Sequence, residues 1–277
     1  MSELLRVEDL RVRFPSRTGS TEVVRGISFS MGRERLGIVG ESGSGKSQTG
    51  RAILGLTPEP GQATAQRLVF DGVDLTTFSQ AQWRTMRGKR ISMIMQDPKF
   101  SLNPVMSIGQ QLIEACRIHD KLSKSNARTK SIEMLEAVKI RDAARVMGAY
   151  PHELSGGMGQ RVMIAMMLVA EPQLLIADEP TSALDVTVKI EILKILDQLV
   201  SDHGMGLLLI SHDLRLVSSF CDRILVLYAG MIVEEIKASD LMQAKHPYTQ
   251  GLLNCLPSID GQRRPLPTLD RDQAWGR

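Results

Sequence analysis

The sequence predicts an α/β fold with a mainly parallel sheet, and three observations carry that prediction. Strand-like and helix-like patterns alternate in both halves of the chain. A glycine-rich loop joins one short apolar strand to one helix. Between the halves, from about residue 107 to residue 150, strand signals vanish and helical ones take over. Strand–helix alternation of this kind builds a parallel sheet covered by helices. The expected organisation is one domain over residues 1–255, with a helical subdomain inserted at about 97–150 and a proline-rich tail at 256–277.

The elements follow in order. Residues 4–14 and 22–30 alternate apolar and polar, are rich in Val, Ile and Phe, and flank a polar turn at 15–20, so they predict an N-terminal antiparallel pair. Residues 35–39 (R-L-G-I-V) predict a buried strand and residues 48–56 a helix. Further strands are expected at 67–71 and 91–96. Residues 108–117 and 126–140 predict helices of the inserted subdomain, and the apolar run 162–170 a buried helix. Residues 174–177 predict a buried strand. Ile192, Leu193, Leu196, Leu199 and Val200 form one helical face. Residues 206–210 and 223–228 are the last expected strands.

Composition narrows the class. The chain has 277 residues, long enough for a substantial core, and is 43% apolar and 23% charged, as soluble globular proteins are. A net charge of +3 is too small to argue for nucleic acid. Cys116, Cys221 and Cys255 are odd in number and widely spaced, which predicts reduced thiols rather than a disulfide framework or a zinc site. No apolar run reaches the roughly 18 residues of a membrane span, and the first residues lack the pattern of a signal peptide. Any work at a membrane is therefore expected to go through a partner.

Residues 40–47 (G-E-S-G-S-G-K-S) match the P-loop pattern G-x-x-x-x-G-K-[ST]. Gly40, Gly43 and Gly45 let the loop curl and aim backbone N–H groups at one anion, past Glu41, Ser42 and Ser44. Lys46 adds a charge for the outer phosphates, the Ser47 hydroxyl can ligate Mg²⁺, and the helix through Gln48 turns its positive end toward them. A nucleoside triphosphatase built on a P-loop core is the expectation. Asp178 ends an apolar strand, where a carboxylate can hold Mg²⁺, and Glu179 follows, placed to orient or deprotonate water. Ser155 can cap a helix whose Gly156 and Gly157 leave N–H groups open to a second anion, an arrangement that a single P-loop site does not need. Read alone, Gln96 is either a loop glutamine or a reach toward Mg²⁺ and water, His212 either structural or a donor to the γ-phosphate, and Asp185 part of a turn.

Together and in this order, these segments resemble the ATP-binding subunits of ABC transporters, over about residues 4–253. The resemblance makes residues 40–47 the Walker A loop and Gln96 the Q-loop. Residues 154–160 (L-S-G-G-M-G-Q), with Ser155 and Gln160, become the signature that closes on a partner's ATP. Asp178 becomes the Walker B carboxylate, Glu179 the catalytic glutamate, residues 182–185 with Asp185 the D-loop, and His212 the switch histidine. Asn103-Pro104 with Ser107-Ile108-Gly109, Tyr150-Pro151-His152-Glu153-Leu154 and His246-Pro247-Tyr248-Thr249 resemble the oligopeptide, dipeptide and nickel importer subfamily. Two departures stand out: Phe14 where the family's adenine-stacking residue is usually Tyr, and Met158 where Gln is common. No Cys follows Cys255, so no iron–sulfur cluster is expected.

The resemblance implies ATP and Mg²⁺ as ligands and two integral-membrane permease subunits as partners. It also implies a second ATPase subunit, identical or different, and an extracytoplasmic solute-binding protein acting indirectly. The expected place is the cytoplasmic face of the bacterial inner membrane, held there peripherally. The rival is a cytosolic ATPase of the same kind acting on nucleic acid or ribosomes. Only 58 positions separate Gln96 from Leu154, too few for the long coiled-coil arm of the DNA-repair type. A switch GTPase would carry an Asn-Lys-x-Asp guanine-reading motif, which this sequence lacks, and a nonhydrolytic scaffold would lack Glu179 or His212.

Overall fold

A computed structural model describes residues 3–16, 19–97, 101–181 and 185–255. The chain divides into two compact units, Met1–Phe78 with Leu208–Arg277, and Ser79–Leu207.

The first unit opens with β1 (Leu5–Ser16) and β2 (Gly19–Met31), paired antiparallel. Alternate residues Leu5, Val7, Leu10 and Val12 are buried, as one sheet face on a core requires. The register shifts between Val7 and Leu10, where Asp9 takes φ 49°. β4 (Gln62–Thr64) and β5 (Arg67–Phe70) also pair antiparallel with β1, and β6 (Val73–Asp74) pairs antiparallel with β5. Both strands continue into the stretch expected as a polar turn, as far as Ser16 and from Gly19, while Arg17 and Thr18 lie outside the described residues.

The same unit carries β3 (Arg35–Val39), parallel to β10 (Arg223–Tyr228), which pairs antiparallel with β11 (Met231–Lys237); β9 (Gly206–Ser211), beginning in the other unit, lies on the far side of β3. Ile224, Leu225, Val226 and Leu227 are all buried, the continuous apolar run of a strand covered on both faces. α1 (Lys46–Ile53) starts at the loop's lysine, with the loop glycine Gly45 as its cap. α8 (Leu214–Phe220) packs on β3: a Cβ on Gly37 would lie 2.2 Å from Val217 Cγ1, so only glycine lets the helix approach. α9 (Pro247–Asn254) closes the unit.

The second unit holds the parallel pair β7 (Ile91–Ile94) and β8 (Leu174–Asp178). It also holds α2 (Gln80–Met86), α3 (Ile108–His119), α4 (Lys124–Ala137), α5 (Ala143–Val146), α6 (Gly156–Leu168) and α7 (Val186–Asp202). Ser79, Ser107, Ser123, Asp142, Ser155 and Asp185 each accept a backbone N–H three positions on, which satisfies a donor that a helix start leaves open. Ser79 and Ser107 complete capping boxes with Gln82 and Gln110.

No element among the described residues is a helix long and apolar enough to cross a membrane. The proline-rich residues 256–277, Pro98, Lys99 and Phe100, and Ser182, Ala183 and Leu184 lie outside the described residues.

Candidate functional site

In the first unit, β3 delivers the chain into the loop Gly40–Ser47. Gly40, Gly43 and Gly45 take φ values of 156°, 83° and 99°. A Cβ on Gly40 would lie 2.2 Å from the carbonyl of Leu227, and one on Gly45 2.5 Å from that of Val23, whereas Gly43 faces open space. Two glycines are thus demanded by the loop's close fit on neighbouring strands, and the third leaves the cradle uncovered. Lys46 is 5% exposed, and its Nζ donates to the carbonyls of Gly40 (2.8 Å) and Glu41 (2.7 Å). The cation is drawn into the loop that it would serve. Ser44 is buried, Ser47 and Gln48 are half-buried, and Ser42 is exposed. Gln48 Oε1 is buried with no hydrogen-bond partner among the described residues, a polar atom inside the site with capacity to spare. His212, exposed just after β9, shares a cavity of about 270 Å³ with Gly40, Glu41, Ser42 and Leu252. Phe14 packs its ring on Gly61, where a Cβ would meet Cε1 at 2.5 Å.

In the second unit, Asp178 ends β8 and is 4% exposed. Glu179 follows with φ 47°, a left-handed conformation that a branched-free but Cβ-bearing residue adopts at a cost, here just before Pro180. Gln96 Nε2 donates to Glu179 Oε2 at 3.3 Å, so the structure brings these two candidate residues together. The Gln160 side chain, 2% exposed, donates to the Pro180 carbonyl at 2.5 Å. Ser155 caps α6 by accepting from Met158 N at 3.4 Å. A Cβ on Gly156 would meet nothing within 4 Å, which leaves that helix start open. Ser155 and Gly157 line a cavity of about 700 Å³ with Lys139, Arg141, Arg145 and Lys194. Asp185 caps α7, accepting from Val188 N at 3.0 Å.

One contact gave no signal in the sequence as a contact. The Tyr248 hydroxyl accepts the N–H of Glu41 at 3.0 Å, across 207 positions. The segment around Tyr248 stood out only as a subfamily resemblance.

The donors suit the expected ligands. Ser47, Gln96 and Asp178 can each offer an oxygen, the ligand type of a hard divalent cation such as Mg²⁺. Among the described residues, no cluster of three His, Cys, Asp or Glu could hold a metal ion.

The family model described as "ABC transporter" matches residues 24–182. The oligopeptide transport ATP-binding protein OppD of Salmonella typhimurium is 46% identical over 268 residues, spanning 96% of this chain and 80% of that one. The dipeptide transport ATP-binding protein DppD of Escherichia coli is 45% identical over 268 residues, spanning 96% and 82%. Among solved structures, the ATP-binding cassette MJ0796, a dimer in a post-hydrolysis state bound to ADP and Pi, superposes with TM-score 0.76 at 23% identity over 85% of this chain and 99% of that one. The structure of cbiO1 from Clostridium perfringens, part of the transporter complex cbiONQ, gives TM-score 0.73 at 27% identity over 88% and 92%. The chain belongs to the ABC transporter family, among its ATP-binding subunits.

Proposed function

We propose that this chain hydrolyses ATP to power uptake of short peptides through a membrane permease. One observation carries the peptide reading: 46% identity to an oligopeptide transport ATP-binding protein along 96% of the chain. In this reading residues 40–47 hold the phosphates, with the cradle left uncovered at Gly43 and with Lys46 turning from the loop carbonyls to the outer phosphates. Ser47, Gln96 and Asp178 would hold Mg²⁺, which when bound supplies positive charge against the phosphate oxygens. Glu179 takes the proton of the attacking water, and Gln96, already bonded to it, fixes its orientation. His212 donates to the γ-phosphate, and Phe14 stacks on adenine.

The start of α6 at Ser155, Gly156 and Gly157, open at Gly156, receives the γ-phosphate of a second ATPase subunit, whether identical or different. ATP then adds contacts that exist only in the closed pair and shifts the equilibrium toward closure; loss of the γ-phosphate reopens it. Two permease subunits hold the chain peripherally at the cytoplasmic face of the membrane, and an extracytoplasmic binding protein delivers the peptide.

The test is reconstitution with the permeases into liposomes, with peptide-loaded binding protein on the far side. ATP turnover should rise with the loaded binding protein, and labelled peptide should accumulate. ATP turnover indifferent to peptide, or stimulated instead by nucleic acid or ribosomes, would overturn the uptake reading.

A further inference from the structure

We infer that Tyr248 is a positioning residue for the phosphate-binding loop, and that the His246-Pro247-Tyr248-Thr249 segment exists to hold it there. The inference rests on the reading of residues 40–47 as the ATP site.

Tyr248 is 0% exposed and is among the largest fully buried side chains of the chain. A buried tyrosine needs a partner for its hydroxyl, and here the partner is the N–H of Glu41 at 3.0 Å. That N–H belongs to the same peptide unit as the Gly40 carbonyl, which accepts from Lys46 Nζ at 2.8 Å. The Gly40–Glu41 peptide is therefore pinned on both edges, by Tyr248 on its donor side and by Lys46 on its acceptor side. When Lys46 turns to a phosphate the acceptor side is released, while the Tyr248 bond still holds the donor side. Rotating this peptide plane would re-aim the loop that follows.

The rest of the segment holds the tyrosine in place. His246 caps α9 by accepting from Tyr248 N at 3.2 Å, and Pro247 occupies the first helical position, where its missing N–H costs nothing. Glu234 Oε1 on β11 accepts from Lys245 N (2.6 Å) and His246 N (3.3 Å). Outside these contacts, Gln250 Nε2 donates to the Ala244 carbonyl at 2.9 Å, a bond that reaches neither the Tyr248 ring nor the loop. The Tyr248 ring packs on that of Tyr228 with centroids 4.6 Å apart. Two residues after Tyr228, Gly230 N donates to the Ser44 carbonyl at 3.1 Å. The end of β10 and the start of α9 thus grip the loop at Ser44 and Glu41. Leu252, one turn further along α9, lines the cavity that holds His212, Gly40, Glu41 and Ser42.

The experiment compares Tyr248→Phe with Gln250→Ala and Lys46→Ala in the full chain. Tyr248→Phe keeps the ring and deletes the hydroxyl; Gln250→Ala loosens α9 without touching the loop. Nucleotide Kd, melting temperature and hydrogen exchange of residues 40–47 are measured for each. Tyr248→Phe should raise the Kd for ATP about three- to tenfold, the range set by one lost hydrogen bond. It should also speed exchange across residues 40–47 while leaving exchange in β5 unchanged. Gln250→Ala should lower the melting temperature and leave Kd within twofold of the native value. A Tyr248→Phe Kd within twofold of native, with unchanged loop exchange, would overturn the inference. So would equal weakening by Gln250→Ala, which would reduce Tyr248 to a general anchor. If Lys46→Ala binds ATP as the native chain does, the ATP reading of the loop itself falls, an outcome separate from either of these.

Discussion

Gln160 Nε2 donates to the Pro180 carbonyl, joining helix α6 to the residue that follows the candidate base Glu179. Glu179 sits at φ 47°, a backbone conformation that costs on the order of 1–3 kcal/mol and persists only where neighbours enforce it. Gln160 is such a neighbour, and being 2% exposed it has no water to compete with the bond. Gln160→Leu, close in size but without the donor, should lower kcat about five- to tenfold through the lost restraint on Glu179. Steady-state kinetics check this. An unchanged kcat would show that Glu179 keeps its geometry without the bond.

Glu179→Gln keeps a hydrogen-bonding partner for Gln96 and removes the basic oxygen. ATP hydrolysis should fall by about 10²–10⁴ while nucleotide binding persists, because a general base acts on the water and not on the bound ground state. Single-turnover hydrolysis beside an equilibrium Kd separates the two. Near-native turnover would remove Glu179 as the base.

The legible parts of this chain are those in which chemistry dictates local sequence. Residues 40–47 must be glycine-rich because a Cβ at Gly40 or Gly45 collides with strand carbonyls, so the loop shows itself as a pattern. Strands β8, β9 and β10 are buried on both faces and appear as unbroken apolar runs. What escaped the sequence were elements whose reason is tertiary. β4 is three exposed residues that exist as a strand only by pairing with β1. β11 lies on a half-exposed edge, and Glu234 and Glu235 interrupt its short apolar start at Met231, Ile232 and Val233. The bond from Tyr248 to Glu41 joins residues 207 positions apart, and the one from Gln160 to Pro180 depends on where a buried amide happens to point. No periodicity encodes either.

The three thiols should differ in reactivity. Cys116 is 0% exposed and lies 3.7 Å from the Ser131 hydroxyl, and burial raises its pKa. Burial, with Asp222 adding to it, pushes Cys221 up to about 12. The thiolate is the nucleophile, so both should resist alkylation at pH 8 in the native protein. Cys255, only half-buried, should label first. Intact mass after brief iodoacetamide treatment should show one adduct, and three after denaturation. Prompt native labelling of Cys221 would contradict its placement against α8 and β3.

Acid should weaken the second unit in two separate windows, both centred on the end of α3. His119 packs on Gly88, where a Cβ would meet its Nε2 at 2.5 Å; burial first, and the charge of Lys89 second, lower its pKa. The unfolded chain then binds a proton near the ordinary histidine value of about 6.5, while the folded chain does not. Stability therefore declines as pH falls below that value, until the folded histidine also titrates. Asp120 behaves in the acid range. It is bonded to Lys89 and lies 3.6 Å from Lys130, which itself reaches Glu171 at 2.9 Å; the Lys89 hydrogen bond is the largest cause of its lowered pKa. Its contribution is complete above the unfolded aspartate value of about 3.9 and disappears as pH falls through the lower, folded one. Urea midpoints at pH 7.5 and 5.5 isolate the histidine, because Asp120 stays ionised at both. The native chain should lose more stability between these two values than His119→Gln, which has no proton to gain. Equal losses in the two proteins would show that His119 titrates alike in the folded and unfolded chains.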